Sequence, residues 1–184
     1  MKKMICLLLI CLCLCGCNRK PDTKTPFELD TYACDMSGYD GLDAKRHMFK
    51  GTTVKELERT VNEKGYGVFV LSRTGCNHCQ MSMRYLNEVA EELGVTVYYI
   101  DAMSDEYPIL GTDNYDILFD LLYTTLNEGE DGQKEIQTPE VITVVDGIIT
   151  AYQVGTTWSG MEYDDNDINQ LKSVYRKMLT PFSE

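Results

Sequence analysis

Residues 66–100 read YGVFVLSRTGCNHCQMSMRYLNEVAEELGVTVYYI, and the order of patterns within them decides the fold. Tyr66 to Leu71 is a short apolar run, rich in β-branched and aromatic side chains, fit for a buried strand. Gln80 to Leu93 has helical periodicity, with Leu86, Val89 and Leu93 on one face and Gly94 as its stop. Val95 to Ile100 is a second run of the buried-strand type. A β-α-β unit of this size requires a parallel pair and a right-handed crossover, which places the sheet at the centre with helices over it. In the turn between the first strand and the helix stand Cys76, Asn77, His78 and Cys79.

A cysteine pair at that position carries chemistry. The first turn of a helix presents unpaired backbone N–H groups and the positive end of the macrodipole, and both favour a thiolate. The thiolate is the nucleophile of thiol–disulfide exchange. Cys76 and Cys79 therefore read as a dithiol/disulfide active site, with Cys76 attacking and Cys79 resolving.

Outward from this unit the other elements follow. A short strand is expected at His47 to Phe49, then a helix opened by Thr53 and Glu56 in capping-box spacing, with Val54, Leu57 and Val61 on its apolar face and Gly65 as its end. After Pro108 a helix is expected from about Asp113 to Glu128, with Ile117, Leu118, Leu121, Leu122 and Leu126 spaced for burial, followed by a hydrophilic loop from Gly129 to Lys134. Thr138-Pro139 immediately precedes a strand from Val141 to Val145, which Asp146-Gly147 joins to Ile148 to Val154 as a tight hairpin. Asp165 to Leu179 closes the chain as a helix with Ile168, Leu171, Tyr175 and Met178 in one stripe. Residues 27 to 43 alternate aromatic, acidic and glycine residues and fit no single pattern.

The N-terminus addresses the compartment. Lys2 and Lys3 form a basic n-region, and Met4 to Cys15 an apolar h-region of about a dozen residues, too short for a comfortable membrane span and typical of an export signal. Leu14-Cys15-Gly16-Cys17 resembles a bacterial lipobox, which implies cleavage after residue 16 and a lipid on Cys17. Cys15 stands at the second lipobox position, with Cys13 and Cys11 upstream; a plain cleaved signal or an uncleaved anchor would export the chain equally. Three parts result: a lipoprotein signal peptide at 1–16, a tether and N-terminal extension at 17–46, and a folded domain at 47–184. The expected location is the outer face of a bacterial membrane, held by the lipid anchor.

Loss of residues 1–16 deletes Lys2 and Lys3 and no acidic residue, which takes the formal charge from −12 to −14. Such a chain is a poor partner for nucleic acid or anionic lipid. Of eight cysteines, Cys6, Cys11, Cys13 and Cys15 fall in the signal and Cys17 takes the lipid, so the folded part keeps Cys34, Cys76 and Cys79. Three cysteines are not a disulfide scaffold. Cys34 is left as an odd thiol, either a half-buried structural residue or a third redox partner.

With strands, Cys-x-x-Cys, helix, Thr-Pro, hairpin and terminal helix in this order, residues 47 to 179 resemble the thioredoxin-like superfamily. The resemblance implies an α/β fold with a central mixed sheet flanked by helices, an extra helix inserted between the Cys-x-x-Cys unit and the proline, a cis peptide bond at Pro139 beside the redox pair, and no cofactor. It also implies thiol–disulfide oxidoreductase activity on protein thiols and disulfides, recycled by a membrane redox partner, with Thr138 and Pro139 aligning the substrate chain. Two features depart from the family pattern. Gly75, Asn77 and His78 replace the usual Trp before and Gly-Pro between the cysteines. Val70 stands where a buried acid is usual, so Glu140 or water must serve as proton acceptor for Cys79.

His78 resembles the histidine of Cys-x-His-Cys sites in disulfide oxidases and isomerases, where an imidazole near the helix start stabilises the first thiolate and favours the reduced form. The plainer reading is a solvent-facing residue of the first turn. His47 has no motif around it and reads as structural. Trp158, Tyr152 and Tyr163 offer either an aromatic contact surface or packing. Two other function classes stay open. Cys76, His78 and Cys79 together would suit Cu(I), and small exported thioredoxin-like proteins with an extra helix resemble bacteriocin transport accessory proteins, which would make the chain a non-enzymatic binding protein.

Overall fold

The computed structural model describes residues 27–129 and 131–183; the signal-type segment, Cys17 and the start of the tether lie outside the described residues. Along the chain run β1 (Phe49–Gly51), α1 (Val54–Asn62), β2 (Tyr66–Ser72), α2 (Asn77–Leu93), β3 (Val97–Asp101) and α3 (Asp113–Leu122). They are followed by β4 (Asn127–Glu128), β5 (Lys134–Glu135), β6 (Glu140–Val145), β7 (Ile148–Val154) and α4 (Asp165–Leu179). Five strands form one sheet in the order β1-β3-β2-β6-β7. β2 pairs with β3 in parallel, Val68 opposite Val97, and with β6 antiparallel, Val70 opposite Val141 and Leu71 opposite Glu140. The central mixed sheet flanked by helices is thus present.

Side chains alternate along β2, and the two layers follow from that alternation. Val68 and Val70 enter a core closed by Met83, Leu86 and Val89 of α2 and Leu171 and Tyr175 of α4. Phe69 and Leu71 enter a second core closed by Leu57 of α1 and Leu118 and Leu122 of α3. Both faces of β2 are therefore buried, which explains its unbroken apolar run.

Helix ends show where local signals were right and where neighbours overrode them. Thr53 caps α1 by accepting from the Glu56 N–H at 3.3 Å, but the reciprocal half of the capping box is absent: the Glu56 carboxylate pairs with Arg59 at 2.7 Å and accepts from the Asp30 N–H. Lys64, not Gly65, takes the left-handed position after α1, with φ 58°. Gly65 is needed for space instead, since a Cβ there would meet the Phe27 ring at 2.8 Å. α2 begins at Asn77, three residues before the apolar periodicity, because Cys76 itself is the cap.

α3 is shorter than expected. Its end is fixed at Leu122, whose carbonyl accepts from the N–H groups of both Thr125 and Leu126. The residues beyond form the small antiparallel ribbon of β4 and β5 rather than more helix. Leu126 is nevertheless buried. The hairpin after β6 turns through Asp146 and Gly147 with φ 56° and 77°, both left-handed as a two-residue turn requires.

Residues 27–46 pack onto this sheet. Met36 and Tyr39 are buried in the α2/α4 core, and Tyr32 bridges Gly51 at the β1 edge. The Tyr39 hydroxyl lies 3.0 Å from Ser72 Oγ and 3.1 Å from the Tyr99 hydroxyl, which anchors the extension to the end of β2 that launches the cysteine loop. No helix among the described residues is long and apolar enough to cross a membrane.

Candidate active site

Strand β2 ends at Ser72, and Arg73-Thr74-Gly75 carries the chain to Cys76. Gln80 fixes this loop from below: its side chain donates to the carbonyls of Thr74 at 2.6 Å and Gly38 at 2.8 Å and accepts from the Asp40 N–H at 2.7 Å. Cys76 caps α2 with extended backbone geometry, and its Sγ accepts from the Cys79 N–H at 3.2 Å. That contact is the first-turn N–H, which would be satisfied even better by a thiolate. Cys76 and Cys79 are joined as a disulfide with Cα atoms 5.1 Å apart. Cys79 is fully buried against Val70 and Met83 in the α2/α4 core, whereas Cys76 is half-buried. A partner can reach only the first sulfur readily.

The Thr138–Pro139 peptide bond is cis. Cys76 Sγ lies 3.4 Å from the Thr138 carbonyl oxygen, so two segments 62 residues apart form one site. A cavity of about 470 Å³ opens beside it, with Arg73, Met103, Leu110, Gln137 and Thr138 among its walls; Met103 and Leu110 are exposed apolar side chains.

A third segment completes the site. Gly155, just past β7, donates its N–H to the Pro139 carbonyl at 2.7 Å, and its own carbonyl accepts from Ser82 of α2 at 3.5 Å. The next residue, Thr156, lies 3.2 Å from His78 Nδ1. The 155–158 turn thus ties the proline strand to the helix that carries the cysteines. Gly155 has φ 65°, a left-handed value that favours glycine.

Glu140 lies elsewhere. Leu71 is opposite Glu140 on β2 and belongs to the α1/α3 core, and directly opposed residues share a face. The Glu140 carboxyl accordingly meets Thr125 on that face, across the sheet from Cys79, at 2.6 Å. The Leu122 carbonyl, 2.8 Å from the Thr125 hydroxyl, already accepts from two backbone N–H groups, so the hydroxyl donates its proton to the carboxyl. The carboxyl is almost wholly enclosed, and loss of hydration, only partly offset by the Thr125 bond, pushes its pKa up to about 7. Glu140 is therefore not placed to take a proton from Cys79 directly.

Cys34 is half-buried at the β1 side, where burial raises its thiol pKa. His47 accepts from the Phe49 N–H at 3.2 Å and stands against the Phe49 ring, a local structural contact. Trp158 stacks on Tyr163 with ring centroids 5.1 Å apart and packs on the α2/α4 core, while Tyr152 is exposed on β7.

Among solved structures the chain is similar to thioredoxin O2 from Arabidopsis thaliana in its oxidised state, at 16% identity over 72% of this chain and 96% of that one, with a TM-score of 0.43. It is also similar to thioredoxin from Aeropyrum pernix, at 16% identity over 67% of this chain and 84% of that one, with a TM-score of 0.39. Both neighbours are thioredoxins. No family model matches the chain, and no curated protein does.

The sequence reading placed Cys76, His78, Cys79, Thr138 and Pro139 in one site, and the fold brings these five together. Gly155, Thr156 and Ser82 were missed. The only local signal for them was a glycine closing a strand run; their proximity to α2 depends on where the terminal hairpin packs.

Proposed function

We propose that the chain is a membrane-anchored, extracytoplasmic thiol–disulfide oxidoreductase working through Cys76 and Cys79. The observation that carries this reading is the asymmetry of the pair: Cys76 is accessible at the cap of α2 beside Thr138, and Cys79 is enclosed behind it. In the reducing direction the Cys76 thiolate attacks one sulfur of a substrate disulfide, forming a mixed disulfide and expelling the other sulfur as a thiolate that takes a proton from water. Cys79, deprotonated by water, then attacks Cys76 Sγ, re-forming the internal disulfide and releasing the second substrate thiol. Two electrons pass to the substrate; the oxidising direction is the reverse. The substrate chain lies along Thr138 and Pro139 and the adjoining cavity. A lipid on Cys17 holds the domain at the outer face of the membrane, where a membrane redox partner restores the pair.

The test is equilibration of the full chain in detergent with glutathione, with thiol trapping. A couple near about −270 mV fits a reductase and one near about −120 mV a disulfide-forming oxidase. A pair that never exchanges would sink the reading and leave the non-enzymatic accessory role; stoichiometric Cu(I) bound by the non-exchanging protein would point to copper handling.

A further inference from the structure

The hydroxyl of Thr156 has two neighbours. Trp158 offers a carbonyl oxygen at 2.8 Å, and His78 offers Nδ1 at 3.2 Å. A hydroxyl carries a single proton, and a carbonyl can only accept. The Thr156 proton therefore goes to Trp158, and a lone pair of its oxygen faces the imidazole. His78 Nδ1 must carry a hydrogen to make this contact. In the neutral ring that places the lone pair on Nε2.

We propose that Thr156 is a positioning residue of the redox pair: it holds His78 as the Nδ1–H tautomer and keeps the ring fixed in the first turn of α2. The inference rests on the thiol–disulfide reading of Cys76 and Cys79. The Nδ1–H contact is compatible with both the neutral and the cationic ring. A cation fixed in the same turn as Cys76 stabilises the reduced pair, whose Cys76 is a thiolate, more than the oxidised pair, which has no charge there. Thr156 thereby raises the tendency of the disulfide to be reduced.

The anchor is itself held. Gly155 is tied to the Pro139 carbonyl and to Ser82, one helical turn after His78 on the same face of α2. Thr156 thus reaches the imidazole from a backbone fixed at Gly155.

The test uses the full chain in detergent. Imidazole nitrogen shifts assign the tautomer of His78, with His47→Gln removing the other histidine signal. The wild type is expected as the Nδ1–H form. Thr156→Val should release the ring to the commoner Nε2–H form and move the glutathione equilibrium about tenfold toward the disulfide, which is about 30 mV lower for a two-electron couple. Thr156→Ser should restore both. In a His78→Gln background, Thr156→Val should have no further effect on the equilibrium, because the two residues act as one unit. An Nε2–H ring in the wild type, an unchanged equilibrium in Thr156→Val, or an equal shift with His78 absent would each overturn the proposal. Should Thr156→Val fail to fold, the comparison of His78→Gln with the wild type still decides: an unshifted equilibrium overturns it. A wild-type pair that does not exchange with glutathione at all overturns the underlying reading instead, and the tautomer measurement separates the two failures.

Discussion

Cys76 Sγ sits between two backbone groups of opposite character, the Cys79 N–H at 3.2 Å and the Thr138 carbonyl oxygen at 3.4 Å. In the reduced protein the N–H contact favours the thiolate that acts as nucleophile. Cys79 has full burial instead. In the reduced protein, iodoacetamide is expected to modify Cys76 first and Cys79 only on unfolding, as read by peptide mass spectrometry. Cys79→Ala should accumulate mixed disulfides on Cys76 and Cys76→Ala none; prior modification of Cys79 in the folded protein would reverse the assigned roles.

Glu140 makes stability depend on pH in a direction opposite to an ordinary paired carboxylate. The folded protein keeps this proton up to about pH 7, whereas the unfolded chain gives it up near the ordinary value of 4.5. Between those values the folded state binds more protons, so stability falls as pH rises through that window and stays reduced above it. Glu140→Gln should remove this slope, gaining on the order of 3 kcal/mol on the wild type between pH 4 and pH 8. Denaturant unfolding of both oxidised proteins at the two pH values checks it; a constant difference would show that Glu140 is ionised in the fold.

Tyr39 joins the N-terminal extension to the sheet through a buried hydroxyl shared with Ser72 and Tyr99. Tyr39→Phe is expected to cost about 1–3 kcal/mol, since it leaves buried polar partners short of a bond. Tyr39→Ala should cost about 3–5 kcal/mol by adding a cavity. Equal, near-zero costs in urea titrations would mean that the extension does not contribute to the folded core.

Cys34 has a thiol held protonated by burial. Cys34→Ala should leave the glutathione equilibrium of Cys76 and Cys79 within about twofold of wild type, because no exchange step needs a third sulfur. A mixed population of Cys34 disulfides under oxidising conditions would instead make it a redox partner.

Membrane attachment is expected to depend on Cys17. Cys17→Ala should move the protein from the membrane to the soluble fraction on cell fractionation and leave the domain's far-ultraviolet spectrum unchanged. Retention in the membrane would point to an uncleaved anchor.

Local pattern determined much of this molecule. The β2-α2-β3 unit, the cysteine pair at a helix start, the Asp146-Gly147 hairpin and the Asp165–Leu179 helix were legible because each rests on residues within a few positions of one another: apolar periodicity, a cap, a turn that needs left-handed residues. Other features exist only once distant segments meet. Whether Glu56 completes a capping box was decided by Arg59 and Asp30, the end of α3 by the Leu122 carbonyl, and the placing of Glu140 across the sheet from Cys79 by strand pairing. The contact of His78 with Thr156 spans 78 residues. A hydroxyl that far along the chain leaves no periodicity to read, because its partner is chosen by how the terminal hairpin packs on α2.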